Sequence, residues 1–243
     1  MKKYLPIIIF AGGLIVVGAV AFFVFRGKGA VVDEEENVPP VPFEMRPVAS
    51  LTPSEDGHWL KLKIEKLVFS AASVDYELLY KLPDGRTQGV PGTVKLEGQE
   101  AIERDLLLGS ESSGKFRYDE GVEEGTLTLR FRNEKGKLVG KLSNDFHLQR
   151  GTKDLSSIDG GFKYLLKKTS DAFFVVMDTF GVPSDLPGSL ASVPYGVFTS
   201  SEDKVPGKVE FGSAELYEWD GSTWQKLEDG EASNVGIFVS IGE

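Results

Sequence analysis

The stretch HWLKLKIE, residues 58–65, alternates strictly: Leu60, Leu62 and Ile64 are separated by Lys61 and Lys63, and Glu65 follows. A period of two gives an extended strand one apolar and one polar face; a helix would scatter the same residues around its axis. The pattern recurs at Val74, Tyr76, Leu78, Tyr80 and Leu82, and at Leu127, Leu129 and Phe131 against Thr128, Arg130 and Arg132. The turns PDG (83–85) and NEKG (133–136) reverse the chain, and Leu138, Leu142, Phe146 and Leu148 carry a returning strand. Fainter strands are expected near 46–51, 92–96 and 101–108. About seven short strands in residues 44–150 predict an antiparallel β-sandwich.

Glycine at 28 residues and proline at 12 fit a turn-rich chain of 243 residues. Cysteine is absent, which excludes disulfides, thiolate catalysis and Cys-based zinc sites. Residues 151–161, GTKDLSSIDGG, read as a linker, and 162–243 as a smaller β-rich unit. Within that unit FKYLLKK and AFFVVMD read as a strand pair turning at 169–171. Phe173 to Met177 is apolar throughout, which fits a strand buried on both faces or a seam between units.

The N-terminal segment places further limits. Leu5 to Phe25 carries no charge over 21 residues, long enough to cross a bilayer core of about 30 Å as a helix. Residues 1–28 are therefore expected to be a transmembrane anchor with basic flanks, Lys2 and Lys3 before the run and Arg26 and Lys28 after it. A cleaved signal is the alternative, with Ala19 and Ala21 offering a small-residue site, although the apolar run continues through Phe22–Phe25. Residues 29–43, acidic and then rich in proline, read as a stalk. After Lys28 lie 37 acidic and 23 basic residues, a net charge of −14, which repels nucleic acid and anionic lipid. The expected placement is single-pass, with the N-terminus cytoplasmic and the bulk extracytoplasmic.

The strand spacing and the terminal hairpin TLTLRFRNEKGKLVGKL resemble bacterial immunoglobulin-like and fibronectin-type-III-like modules. That resemblance implies a role in spacing, adhesion or assembly, and it places Tyr118 near the position of a tyrosine corner. Fold analogy does not specify function.

Chemistry-bearing motifs are scarce. The two histidines, His58 and His147, each sit in a strand-like run, and no H-E-x-x-H, G-x-S-x-G, Walker A or dinucleotide fingerprint is present. No catalytic residue and no cofactor is expected. Asp119, Glu120, Glu123 and Glu124 in YDEGVEEG supply carboxylates that a hard cation such as calcium would accept, but the spacing of a dedicated loop is missing. The most distinctive motif is ELYEWDGSTWQKL, in which an Asp-Gly turn joins two strands. With either a two- or a four-residue loop, Tyr217, Trp219 and Trp224 share one face, and Leu216, Glu218, Thr223 and Gln225 the other. The aromatic face is expected to be an inner, packed face; the alternative is a platform that stacks on sugar rings or a partner. The sequence thus predicts a non-catalytic binding or scaffolding protein of a bacterial-type cell envelope, with envelope proteins or glycans as partners. A glycan or cell-wall binder is the second reading and an envelope hydrolase the third.

Overall fold

The computed structural model describes residues 38–68 and 70–242. The anchor expected at residues 1–28 and the stalk as far as residue 37 lie outside them. Among the described residues no helix is long and apolar enough to cross a membrane.

The chain is mainly β, and all its strand pairings are antiparallel among the described residues. The first half comprises β1 (Val48–Pro53), β2 (Trp59–Glu65), β3 (Ser73–Lys81), β4 (Thr87–Lys95), β5 (Ala101–Leu107), β6 (Gly109–Ser112), β7 (Lys115–Tyr118), β8 (Glu124–Arg132) and β9 (Leu138–Arg150). The second half comprises β10 (Asp154–Ser156), β11 (Lys163–Leu166), β12 (Phe173–Asp178), β13 (Ser189–Leu190), β14 (Tyr195–Thr199) and β15 (Gly207–Glu210). It ends with β16 (Glu215–Trp219), β17 (Trp224–Lys226), β18 (Glu231–Ala232) and β19 (Ile237–Gly242).

One ten-stranded sheet runs through both halves in the order β17-β16-β19-β14-β12-β9-β8-β3-β4, with β13 added on β19. A three-stranded sheet, β1-β2-β5, covers one face of its first half. The alternating residues meet there as the sequence requires: Leu51, Leu60, Leu62 and Ile64 share a core with Val74, Leu78, Leu127, Leu129 and Phe131. Two sheets facing across an apolar core are consistent with a β-sandwich. Val41, within the segment read as a stalk, is 3% exposed and belongs to this core.

The opposite face of the first half is polar. Glu77 pairs with Arg130 at 3.0 Å and Asp75 with Arg132 at 2.6 Å. Burial works against the Asp75 charge, but the Arg132 guanidinium and the Thr93 hydroxyl hold its carboxyl below the usual range. The outer strand β4 carries Pro91, which removes a backbone donor from an open edge.

In the second half the cover changes sides. A four-stranded sheet, β10-β11-β15-β18, packs on the face that was polar in the first half. Strand β12 sits at the switch. Its Val175 and Met177 enter the first core, while Phe174 and Val176 enter a second core with Tyr164, Val209 and Phe238. The apolar run is thus a strand buried on both faces. The predicted hairpin between FKYLLKK and AFFVVMD does not form: β11 pairs with β10 and β15, and β12 with β9 and β14. A strand apolar on both sides needs cover on both, which a central position supplies. β11 instead alternates, with Tyr164 and Leu166 buried and Lys163 exposed, and so suits a covering sheet. Leu155, in the segment read as a linker, is fully buried on β10.

Candidate functional site

Because the four-stranded sheet covers only part of the long sheet, its first strand ends in a step. Strand β10 pairs with β11 and would otherwise present a bare backbone edge. Side chains of β9 close it. The His147 Nδ1–H donates to the Ser156 carbonyl at 2.8 Å, Gln149 Nε2 donates to the same oxygen at 3.0 Å, and the Ser156 N–H donates to Gln149 Oε1 at 3.1 Å. A carbonyl only accepts, so this contact places a proton on Nδ1.

Beside this step lies a groove of about 490 Å³ whose walls include Asp56, His58, Glu120, Glu123, His147 and Phe173. Both histidines thus reach one surface feature, although they lie 89 positions apart in sequence. His58 Nδ1 is 3.2 Å from Asp56 Oδ2, and its Nε2 is 3.2 Å from Glu120 Oε1. The Asp56 carboxyl is held below the usual range by the Ser54 hydroxyl and the His58 N–H. Arg150 lies over the Phe173 ring, 4.7 Å from its centre, and donates from Nε to the Asp171 carbonyl.

The four carboxylates considered for a cation do not converge. Asp119 accepts the buried Tyr80 hydroxyl at 2.9 Å, Glu120 faces His58, Glu124 pairs with Lys81 at 2.7 Å, and Glu123 stands exposed on the groove wall. Among the described residues no three His, Asp or Glu side chains form a set that could hold a metal ion. Burial, with Asp119 beside it, pushes the Tyr80 hydroxyl far up, so it stays a donor.

A second groove, about 310 Å³, opens along the same step between Asp145, Ile158, Asp159, Asp178, Val193 and Tyr195. Burial pushes the Asp178 carboxyl up to about 6, against the pull of the Phe180 N–H and of the Arg46 charge. Burial also opposes the Asp159 charge, but the Ser157 and Tyr195 hydroxyls and the Gly161 N–H hold that carboxyl below its usual range.

The Asp-Gly hairpin has the four-residue loop, with Trp219 directly opposite Trp224. Asp220 sets the turn: its Oδ1 accepts the N–H groups of Ser222 and Thr223, both at 2.8 Å, and these bonds hold the carboxyl far below the usual range. The two indoles meet at 5.2 Å with a 59° tilt. Tyr217 and Trp224 pack against a small cluster of Val182, Val239 and Ile241. All three aromatics are half-buried, and the Trp224 indole N–H is buried with no hydrogen-bond partner among the described residues. Leu216, on the other face, packs on the second core instead.

Among the described residues the most exposed aromatic strip lies elsewhere. On the β6–β7 hairpin, Phe116 is 45% and Tyr118 is 38% exposed. Tyr118 stacks on His58 with ring centres 4.1 Å apart, Phe116 is parallel to Tyr118 within 5°, and Phe116 meets Trp59 edge-on at 5.7 Å. Tyr118 therefore faces His58 rather than closing a corner of the sandwich. The signal for this strip was the i, i+2 pair in KFRY, two aromatics on one face of a strand with no apolar partner pattern beside it.

No protein-family model matches the sequence, and no curated protein matches it.

Proposed function

We propose that this chain is a non-catalytic binding or scaffolding protein of a bacterial-type cell envelope, anchored by residues 1–28 with its β-rich bulk outside the membrane. The observation that carries this reading is the use made of the polar groups in the open grooves. His147 and Gln149 close the edge of β10, Asp119 holds Tyr80, and Asp159 holds Tyr195. Among the described residues neither histidine is hydrogen-bonded to a hydroxyl that could serve as nucleophile. These groups brace the fold.

The immunoglobulin-like reading of the first half draws support from strand order. With β1, β2, β3, β5, β8 and β9 taken as A, B, C, E, F and G, strands A-B-E face C-F-G, and β4 extends the second sheet beside C. The β6–β7 hairpin is then an insertion between E and F. The uncharged run Leu5–Phe25 and the net charge of −14 behind it support the anchor and its orientation. Fractionation with protease treatment of intact cells or spheroplasts tests the topology. The full-length chain should sediment with membranes and lose its C-terminal bulk to external protease; a protected C-terminal bulk rejects the orientation, and a mature N-terminus near Phe22 rejects the anchor.

A second reading, glycan binding by Tyr217, Trp219 and Trp224, draws on the position of their hairpin at one end of the long sheet with its rings half in water. Polysaccharide pull-down with Trp219→Ala and Trp224→Ala separates it from the first. Lost retention with an unchanged unfolding midpoint favours the glycan binder.

A further inference from the structure

The β6–β7 hairpin has little support from the rest of the fold. Among the described residues its strands pair with each other and with no third strand, and every residue of β7 is exposed. An isolated two-stranded ribbon is marginal in water. Its base is fixed: Leu108 is fully buried, the Leu108 N–H donates to the His58 carbonyl at 2.8 Å, and the Asp119 N–H donates to the Leu108 carbonyl at 2.9 Å. Above that base Tyr118 stacks on His58 and Phe116 meets Trp59 edge-on, and both hairpin rings stay more than a third exposed. Parallel, half-exposed rings on one strand face are the kind of anchor that interfaces use.

The groove wall next to these rings is acidic. Asp56, Asp119, Glu120 and Glu123 all line it, and Glu120 is 83% exposed at its side chain. Arg150, also on the wall, is already engaged, with its guanidinium over Phe173. The groove therefore seats one guanidinium on an aromatic ring within the chain itself. A cation placed over an aromatic face gains about 0.5–1 kcal/mol at an exposed site, and more when water is excluded.

We propose that the aromatic face of β7 and the adjoining acidic groove form a docking surface for a basic peptide segment of a partner protein. Arginine or lysine side chains of that segment lie on Phe116 and Tyr118 and pair with Glu120 and Glu123. Charge complementarity on the ring face selects this occupant, since the cations of β7 itself, Lys115 and Arg117, alternate onto the other face of the strand. An anionic glycan or a nucleic acid would meet like charge. A second copy of this chain, with a net charge of −10, would bring its own acidic groove against this one. The proposal rests on the non-catalytic binding reading above, yet fails separately from it, because fractionation and protease accessibility do not depend on this surface.

The test is a fluorescence-anisotropy titration of the full-length chain in nonionic detergent with a labelled peptide of alternating Arg and Gly. A Glu-Gly peptide and a neutral oligosaccharide serve as comparisons. The expected result is saturable binding of the Arg-Gly peptide that weakens with salt. A Phe116→Ser/Tyr118→Ser variant should lose at least tenfold in affinity with its formal charge unchanged. Glu120→Gln/Glu123→Gln should lose a similar factor, while Glu228→Gln/Asp229→Asn, the same charge change at another exposed turn, should lose less than twofold. If the serine variant unfolds earlier than wild type, Phe116→Leu/Tyr118→Leu keeps apolar contact with His58 and Trp59 and removes the rings, and the same tenfold loss is expected. Equal losses from both acidic pairs would overturn the proposal in favour of bulk attraction. So would full affinity in the ring variants, absence of peptide binding, or ring-dependent binding of the neutral oligosaccharide alone.

Discussion

The two halves of the long sheet solve the same burial problem on opposite faces. In the first half β1, β2 and β5 cover one face and leave the other to Glu77–Arg130 and Asp75–Arg132 pairs. In the second half β10, β11, β15 and β18 cover that other face. A strand can serve both arrangements if its two faces are both apolar, and β12 does so with Val175 and Met177 on one side and Phe174 and Val176 on the other. A sheet need not keep one buried side along its whole width. Change of cover also creates the step where His147 and Gln149 meet β10 and where both grooves open.

The largest expected effect tests whether the halves are energetically one. Phe174→Ala removes a fully buried ring from the second core and should destabilise by about 3–5 kcal/mol; Leu129→Ala in the first core should cost about 2–5 kcal/mol. Because β9 and β12 are paired, each should shift one common urea transition. Two transitions, each sensitive to one variant alone, would mean that the halves are independent domains.

Asp178 comes next, at the end of the shared strand. Its folded carboxyl is raised to about 6 by burial, so the fold disfavours its ionised form. Stability should therefore fall as pH rises from about 4 through about 6 and level off above. Asp178→Asn keeps an acceptor for the Phe180 N–H and should stabilise by about 2–3 kcal/mol at pH 7–8. The gain should vanish below pH 4, and a gain unchanged across that range would remove titration as its cause.

A smaller effect sharpens the description of the C-terminal hairpin. Trp224 packs on Val239 and Ile241, whereas Trp219 is outside that cluster. Trp224→Ala should cost about 1–2 kcal/mol, part of the value of a fully buried side chain, and Trp219→Ala less than about 1 kcal/mol. Chemical denaturation of the two variants measures the order; the reverse order would place the packing contact on the wrong indole. The smallest effect belongs to the open face. A double-mutant cycle on Glu77 and Arg130 should return about 0.2–1 kcal/mol of coupling that shrinks in high salt. A larger, salt-insensitive value would mean that this face is covered too.

Much of this was legible in the sequence. β2, β3 and β8 follow the alternation of Leu60–Ile64, Val74–Tyr80 and Leu127–Phe131, and the hairpin motif allowed the register that pairs Trp219 with Trp224. The apolar run at Phe173–Met177 fits a strand buried on both faces or a seam between units, and both faces of β12 are buried. It does not say which neighbours cover each face, because an unbroken run has no phase, and chain proximity points to β11 where the fold uses β9 and β14. The β6–β7 hairpin is not legible in the sequence because its exposed strands leave almost no burial pattern. The grooves were hidden for a different reason: Asp56, Glu120 and His147 approach one another only after non-local strands have assembled.

The ladder shared by β9 and β12 also limits how the gene can be cut. A chain ending at Arg150 would retain β9, 13 residues long, with its pairing edge to β12 bare. Val175 and Met177 would no longer seal the first core beside Phe146 and Leu148. A long uncovered edge next to exposed apolar side chains is a template for stacking with other copies. Such a fragment is expected in the insoluble fraction on expression, even though its own sandwich strands are all present. Recombination that treats residue 151 as a module border would inherit that liability.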